Sequence, residues 1–175
     1  GMVVQSGNDA SVALAEHIAG SEDAFADMMN QHAALLGLEN SYFVNAHGMP
    51  ADQHVMSARD LAILAQALIE RFPENYEIYS VPEFTYNGIR QPNRNTLLFQ
   101  DRNVDGMKTG FTDAAGYCLV ASATRDGMRL IAVVMGTDSV NARAIEAQKL
   151  LTYGFRFYET YELFTGNEVL SSSQV

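Results

Sequence analysis

Two nearly continuous apolar runs, residues 117–124 and 128–135, are the feature that most constrains how this chain can fold. The short polar sequence Arg125-Asp126-Gly127 joins them, as is typical of a tight connection between two strands. A strand that is apolar along its whole length is usually covered on both faces. We therefore predict that both strands are central in an antiparallel sheet, with helices on each side.

The first third of the chain has the boundary residues of two helices. Asn8 or Asp9 is predicted to cap a helix that Gly20 stops, because short polar side chains satisfy free backbone N–H groups at a helix start. Ser21 is predicted to cap a second helix that ends at Gly37.

Two further helices are predicted from their caps and their apolar spacing. Ser57 caps the third helix, which Pro73 ends, and its apolar face should dock on the first two helices. Ser139 caps the last helix, which should run to about Tyr153. The inward-facing residues are predicted to be Leu61, Leu64, Ala65, Leu68 and Ile69 in the third helix, and Ala144, Ala147, Leu150 and Leu151 in the last.

The remaining segments read as turns, loops and a second region. Residues 83–103 alternate around Asn87-Gly88, which predicts a hairpin, and residues 38–56 read as an irregular surface connection. After Phe155 the alternation and Gly166-Asn167 indicate entry into a separate β-rich region. The fold class predicted from these pieces is α+β, an antiparallel sheet flanked by helices with a helical subdomain, in residues 1–155, followed by a second region from 156 to 175.

Composition and charge exclude several classes of function. With 47% hydrophobic residues in 175, the chain can bury a substantial core, and its net charge of −10 repels nucleic acid and anionic lipid headgroups. The sequence contains neither a signal peptide nor an apolar run long enough to span a membrane, so any membrane attachment would use segments outside it. The single cysteine, Cys118, is predicted to be a small buried side chain.

Two triplets carry groups suited to chemistry. Lys108-Thr109-Gly110 places an ammonium beside a hydroxyl, and the glycine leaves the backbone open to a ligand, which suits a substrate that ends in a carboxylate. Ser6-Gly7-Asn8 offers a hydroxyl and an amide two residues apart at the start of a predicted helix.

Along the chain the Ser-Gly-Asn triplet comes first and the Lys-Thr-Gly triplet second. In this chain order they resemble the penicillin-recognising serine acyl-transferases, whose signature is S-x-x-K, then S-x-N, then K-T-G. Further segments resemble low-molecular-mass D-alanyl-D-alanine carboxypeptidases of the peptidase S11 type, so the resemblance covers nearly the whole chain. Those segments are residues 5–10, 89–95, 103–110, 115–124 and 151–159. The resemblance implies a β-lactamase/penicillin-binding transpeptidase-like fold and an enzyme that removes the terminal D-alanine from peptidoglycan stem peptides through an acyl-enzyme.

One motif of that family is absent, because no S-x-x-K occurs in these 175 residues. In the family this motif lies upstream of the Ser-Gly-Asn triplet and supplies the nucleophile and its lysine. The sequence is therefore expected to be a fragment that is inactive by itself. On this reading residues 1–155 are the C-terminal portion of the catalytic domain and 156–175 lead into a truncated β-rich domain.

The resemblance implies a role for each matching residue. Ser6 would pass protons between nucleophile, lysine and leaving group, and Asn8 would hold the substrate's backbone amide. Lys108 would raise the positive potential of the cleft, and Thr109 would hydrogen-bond the terminal carboxylate.

Four more residues complete the expected substrate site. The resemblance places one oxyanion donor at the N–H of Phe111, directly after Gly110. Arg94 is expected on a rim that lines the cleft, and Arg143 at the start of the last helix as a second carboxylate contact.

Other chemistries fit less well or remain open. Met107 precedes Lys108 where a phosphate-binding loop needs glycine, and the histidines lack zinc-peptidase spacing, so no metal is expected. A β-lactamase-like hydrolase remains an alternative, although no residue matches its deacylating glutamate. So does a non-catalytic module of the same fold that binds cell-wall peptide or a protein.

The resemblance also implies partners and a location. The expected ligands are the peptidoglycan pentapeptide and β-lactam antibiotics, with no nucleic acid and no metal or organic cofactor. The expected location is the periplasm or the outer face of the bacterial inner membrane.

Overall fold

The computed structural model describes residues 1–161, 163 and 164, and its centre is an antiparallel sheet. In chain order the described elements are α1 (Met2–Gln5), α2 (Asn8–Ala19), α3 (Glu22–Leu36), α4 (Ala58–Arg71), α5 (Pro73–Tyr76), β1 (Glu83–Tyr86), β2 (Ile89–Pro92), β3 (Val104–Thr112), β4 (Gly116–Arg125), β5 (Met128–Thr137) and α6 (Val140–Phe157).

The sheet has the order β3-β4-β5, so the two predicted apolar strands exist and are neighbours. β4 is central as predicted, whereas β5 pairs only with β4 among the described residues. The prediction that β5 is central is therefore wrong within the described residues. An apolar run indicates that both faces of a strand are buried, and it does not show whether the strand has a neighbour on each side. β3, which carries Lys108-Thr109-Gly110, pairs with the other side of β4.

Helix α6 covers one face of the sheet. The predicted cap is confirmed, because the Ser139 hydroxyl accepts the N–H of Ala142. The helix continues past the predicted end near Tyr153, and Leu150, predicted to face inward, is half exposed. Gly154 permits close contact in this continuation, since a Cβ there would lie 2.4 Å from a methyl group of Leu130. The buried residues of this layer are Leu97, Val104, Leu119, Ala121, Ala123, Ala132, Val134, Ala144, Ala147 and Leu151.

Helix α4 covers the opposite face, so the expected helix-sheet-helix layering is confirmed. Its apolar residues Leu61, Leu68 and Ile69 pack with Met107 and Val120 of the sheet. The prediction that this helix docks on the first two helices is therefore wrong. An amphipathic spacing indicates which face of a helix is buried and leaves its partner undetermined. The Ser57 cap is confirmed.

The two N-terminal helices form a hairpin of their own. Ser21 caps α3 through the N–H of Ala24, and Gly37 ends that helix in the left-handed conformation, both as predicted. The predicted cap of the first helix is wrong, because Gly7 occupies the cap position and Asn8 is already helical. Its side chain is thus free to line a cleft.

The predicted hairpin and the irregular connection are both present. β1 pairs with β2 around Asn87 and Gly88, whose φ angles of 49° and 75° are both positive, as a two-residue type I′ turn requires. Residues 38–56 lack regular structure apart from one bridge between Tyr42 and Val55. Most of the predicted β-rich segment 156–175 lies outside the described residues. In the part of the chain that is described, no helix has the length and hydropathy to cross a membrane.

Candidate active site

The two triplets meet in space although 102 residues separate their polar members along the chain. The ammonium of Lys108 on β3 donates a hydrogen bond of 2.8 Å to the Ser6 hydroxyl. A second bond, 2.7 Å long, goes to the carbonyl oxygen of Thr109. The Lys108 ammonium therefore links the sheet to the turn that precedes the N-terminal helices.

The backbone around Ser6 is held in an unusual conformation. Ser6 follows α1 with φ 59° and ψ 42°, in the left-handed region that favours glycine. The segment after β2 fixes this turn, because Arg94 donates from Nε to the carbonyl of Gln5 at 2.8 Å. Gln5 in turn donates from its side chain to the carbonyl of Pro92 at 2.6 Å. The turn thus aims the serine hydroxyl at Lys108.

Arg143 supports the triplet from the helix below the sheet. It is buried, and its guanidinium donates to the carbonyl of Gly110 at 3.0 Å. Its charge also lies 5.6 Å from the centre of the Tyr117 ring, and that ring lies 4.3 Å from the ring of Phe111. An arginine, a tyrosine and a phenylalanine therefore stack beside the triplet.

The electrostatics of this site favour an anionic ligand. Burial, with a smaller contribution from Arg94 and Arg143, lowers the pKa of Lys108 to about 8. Burial likewise lowers the pKa of Arg143. Among the described residues, none of these three cations has a carboxylate within ion-pair distance. An arriving carboxylate would therefore compensate charge that the protein leaves uncompensated.

These groups line one open cleft of about 920 Å³. Thr109 is buried at its base, whereas Asn8 and Arg94 are exposed at its rim. Each residue predicted for the site contributes to the lining: Ser6, Asn8, Arg94, Lys108, Thr109, Gly110, Phe111 and Arg143. Cys118, predicted to be buried, is only partly buried and also lines this cleft.

Sequence reasoning missed one whole wall of the cleft. We name residues 43–56 the wall loop, because Phe43, Asn45, His47, Met49 and His54 face the same space as Lys108. The loop was predicted to be a surface connection, and its lack of periodicity gave no sign of a position opposite β3. Among the described residues, no group of His, Cys, Asp and Glu is arranged to hold a metal ion.

Comparisons with known proteins agree with this architecture. The family described as D-alanyl-D-alanine carboxypeptidase, peptidase S11, matches residues 1–139. The D-alanyl-D-alanine carboxypeptidase DacA of Escherichia coli (strain K12) is 54% identical over 173 residues, which are 98% of this chain and 43% of that protein.

Solved structures show the same arrangement. Penicillin binding protein 5 from Haemophilus influenzae matches with a TM-score of 0.94 at 48% identity, over 98% of this chain and 50% of that chain. Penicillin-binding protein D2 from Listeria monocytogenes, in the cefotaxime bound form, matches with a TM-score of 0.82 at 36% identity, over 88% and 63%. The chain thus spans about half the length of the first two relatives. It belongs to the D-alanyl-D-alanine carboxypeptidase family, peptidase S11, and has the α+β penicillin-binding fold.

Proposed function

We propose that this chain supplies the substrate-recognition side of a serine-type D-alanyl-D-alanine carboxypeptidase that acts on peptidoglycan stem peptides. The observation that carries the proposal is the 2.8 Å bond between the Lys108 ammonium and the Ser6 hydroxyl. One hydrogen bond thus joins the Ser-Gly-Asn triplet to the Lys-Thr-Gly triplet, and this contact supports the proposal. The relatives named as carboxypeptidases support the same activity.

The uncompensated cations give this site its substrate preference. The terminal carboxylate of an acyl-D-alanyl-D-alanine peptide would lie near Lys108, Thr109 and Arg143, where the ammonium and hydroxyl donate charge-assisted hydrogen bonds. Arg143 keeps one N–H on the Gly110 carbonyl, so it acts partly by holding β3 in place.

Among the described residues, the edge of β3 opposite β4 pairs with no other strand, and this edge provides the second half of recognition. Thr109 directs its carbonyl to the Lys108 ammonium, on the cleft side of the strand. Backbone groups two residues apart on a strand point the same way, so the N–H of Phe111 also faces the cleft. This N–H can donate to the oxygen of the scissile carbonyl as it becomes an oxyanion.

Ser6 is positioned for proton transfer. Its hydroxyl accepts from Lys108 and can donate its own proton elsewhere, for instance to the nitrogen of the departing D-alanine. As the C–N bond breaks, that nitrogen gains the Ser6 proton and D-alanine leaves as a neutral amine, while Ser6 regains the proton that the base took from the attacking serine. Asn8, at the cleft rim, would hold the peptide's backbone amide. The attacking serine and its base belong to an S-x-x-K segment, which these 175 residues do not contain.

Domain organisation, partners and location follow from the proposed activity. Residues 1–155 would be the C-terminal portion of a catalytic domain, whose last helix, α6, continues to Phe157. A β-lactam has a carboxylate beside a reactive carbonyl, as the peptide does, so the same cleft binds penicillins. The proposed substrate, peptidoglycan, lies outside the bacterial inner membrane, so we propose that the protein acts in the periplasm or on that membrane's outer face.

A fluorescent penicillin tests whether acylation requires an S-x-x-K segment in addition to this chain. We expect no covalent fluorescent band on a denaturing gel when the 175-residue chain is incubated with the probe, because no S-x-x-K serine is available for acylation. A protein that joins an S-x-x-K segment to this chain should be labelled and should release D-alanine from a pentapeptide. Labelling of the 175-residue chain would identify a different nucleophile. A joined protein that binds without turnover would support the non-catalytic module, and rapid β-lactam hydrolysis the β-lactamase.

The depressed pKa of Lys108 predicts an alkaline limit to substrate binding. With a pKa of about 8, the ammonium deprotonates as the pH rises through that value and its attraction for the carboxylate is lost. We expect KM for the peptide to rise above about pH 8.

The same depressed pKa predicts that the stability of the folded state increases as the pH rises. Because the unfolded chain holds the lysine proton up to its ordinary pKa of 10.5, the free energy of unfolding should increase between about pH 8 and 10.5. In Lys108→Met both changes should disappear, and a KM rise that persists would assign the limit to another group.

A further inference from the structure

Two backbone hydrogen bonds of the wall loop are accepted by histidine side chains, and each requires a ring nitrogen without a proton. The backbone N–H of Val44 donates to Nδ1 of His54, and the N–H of Met49 donates to Nδ1 of His47, each at 3.1 Å. A ring nitrogen can accept such a bond only when it carries no proton. Both histidines must therefore be neutral, with the proton on Nε2, for these two bonds to exist.

The other attachments of the loop have a different character. The Asn30 side chain on α3 both accepts the N–H of Phe43 at 2.8 Å and donates to its carbonyl at 2.7 Å. The bridge between Tyr42 and Val55 closes the loop at its base. These contacts fix the two ends without titratable groups. The cleft-facing middle, residues 44–49, is held by the two imidazoles and by Glu22, which accepts the N–H of Ala46 at 3.0 Å. Within it, the Asn45 side chain accepts the N–H of Gly48 at 2.7 Å and donates to the carbonyl of Met49 at 2.9 Å.

We infer that His54 and His47 are positioning residues that hold the peptide-facing wall of the cleft through their unprotonated Nδ1 atoms, so that acid releases this wall. Protonation would place two donors face to face at each bond, the imidazole N–H against the backbone N–H. The residues displaced would be those in the middle of the loop opposite Lys108, including Asn45 and Met49.

The two histidines differ in their charged surroundings. The Nε2 of His47 lies 3.4 Å from the Glu22 carboxylate. Among the described residues, His54 has no carboxylate at ion-pair distance, and Asp52 of the same loop is exposed and makes no ion pair. Burial, and then the nearby His47, lower the pKa of His54.

The remaining charges near the loop do not offset this difference. The groups across the cleft are cations, namely Lys108, Arg94 and Arg143. At the start of the adjoining helix α4, the Asp60 carboxylate is occupied by the N–H of Asn40 and the hydroxyl of Ser41. His54 is thus the weaker attachment in acid. Its neutral form stabilises the wall fully above the ordinary pKa of 6.5, and the stabilisation falls as the pH drops below that value.

Nuclear magnetic resonance of protein labelled with ¹⁵N in its backbone and histidine rings tests the inference directly. At neutral pH, ring correlations should show the Nε2–H tautomer for His54 and His47. At about pH 5 the exchange protection of the Val44 and Met49 amides should fall, by roughly fivefold for the loss of one neutral hydrogen bond. The Phe43 amide, held by Asn30, should keep its protection.

A matched pair of variants separates protonation from general loosening. In His54→Asn the amide oxygen takes the place of Nδ1 as an acceptor that does not titrate, so Val44 protection should be independent of pH. In His54→Ala it should be low at every pH. The inference is overturned if wild-type His54 carries its proton on Nδ1, or if Val44 protection in the wild type stays constant as His54 titrates. The comparison of wild type with His54→Asn decides the question even if His54→Ala does not fold.

A kinetic arm rests on the proposed function. In the joined protein, KM for the pentapeptide should rise below about pH 6 in the wild type and remain level in His54→Asn, with kcat changing alike in both. Absence of turnover at every pH would count against the proposed carboxypeptidase and leave the resonance result standing. Turnover with identical acid profiles for the two proteins would count against the acid-released wall alone.

Discussion

Replacing Lys108 with alanine should lower kcat/KM for a peptide with a free terminal carboxylate by roughly 10- to 150-fold, the loss of a charge-assisted contact of about 1.5 to 3 kcal/mol. The measurement requires a protein that joins an S-x-x-K segment to this chain. The expectation follows from the site's charges, since Lys108, Arg94 and Arg143 face the cleft without carboxylate partners in the described structure. The ammonium should be worth most where a ligand supplies the missing negative charge.

A second substrate isolates that contact from every other effect of the mutation. A peptide whose terminal carboxylate is amidated already lacks the anion, so Lys108→Ala should cost much less with the amide than with the acid. The matched control is Lys149→Ala, because Lys149 lies exposed on α6 with Glu146 and away from the cleft. It should change neither rate.

Stability distinguishes recognition from folding. Burial disfavours the charged form of Lys108, so its removal should not lower the melting temperature below pH 8. Equal losses on acid and amide with an unchanged melting temperature would leave Lys108 a role in proton transfer or in the general field of the cleft. Equal losses with a lower melting temperature would make it a structural residue.

How much of this molecule can be predicted from its sequence depends on the range of the interactions involved. The hairpin at Asn87-Gly88 and the caps at Ser21, Ser57 and Ser139 were predicted correctly because each depends on neighbours within a few residues. The covering of β4 by helices on both faces was also predictable, because its apolar residues form a nearly continuous run.

Longer-range features were harder to predict for physical reasons. The packing of α4 on the sheet was missed because its apolar stripe would fit any apolar surface. The continuation of α6 through Gly154 was missed because that glycine serves contact with Leu130, which only the tertiary structure reveals. From the sequence alone, a glycine can mark either the end of a helix or a point where the helix packs closely against a neighbouring element.

In the candidate site too, the residues could be predicted from sequence motifs and their contacts could not. Lys108 and Ser6 could be chosen from motifs because the order of the triplets is a property of the sequence. Their 2.8 Å contact, the stacking of Arg143 on Tyr117 and the position of the wall loop depend on how distant segments pack. Asn8 shows both outcomes within one motif. It lines the cleft, as expected of a site residue, whereas its other predicted role as a helix cap is taken by Gly7.

Two substitutions at Ser6 should separate its chemistry from its backbone conformation. Ser6→Ala and Ser6→Gly both remove the hydroxyl that accepts from Lys108, and each should reduce acyl transfer in the joined protein by roughly 10²- to 10⁴-fold, the range for a lost proton-transfer group. Their effects on stability should differ. Ser6 has φ 59°, and this left-handed conformation costs a residue with a Cβ about 1–2 kcal/mol, which glycine avoids.

We therefore expect the melting temperature of Ser6→Gly to exceed that of Ser6→Ala by roughly 2–4 °C for each kcal/mol relieved, while both variants remain catalytically impaired. Thermal unfolding and single-turnover acylation by a fluorescent penicillin provide the two measurements. If Ser6 served only to turn the chain between α1 and α2, the glycine variant would retain activity, since glycine adopts this turn more readily than serine. Activity in Ser6→Gly would therefore remove the hydroxyl from the mechanism. Loss in both variants, with the more stable one equally inactive, would mean that the protein holds a strained serine because the reaction requires its oxygen beside Lys108.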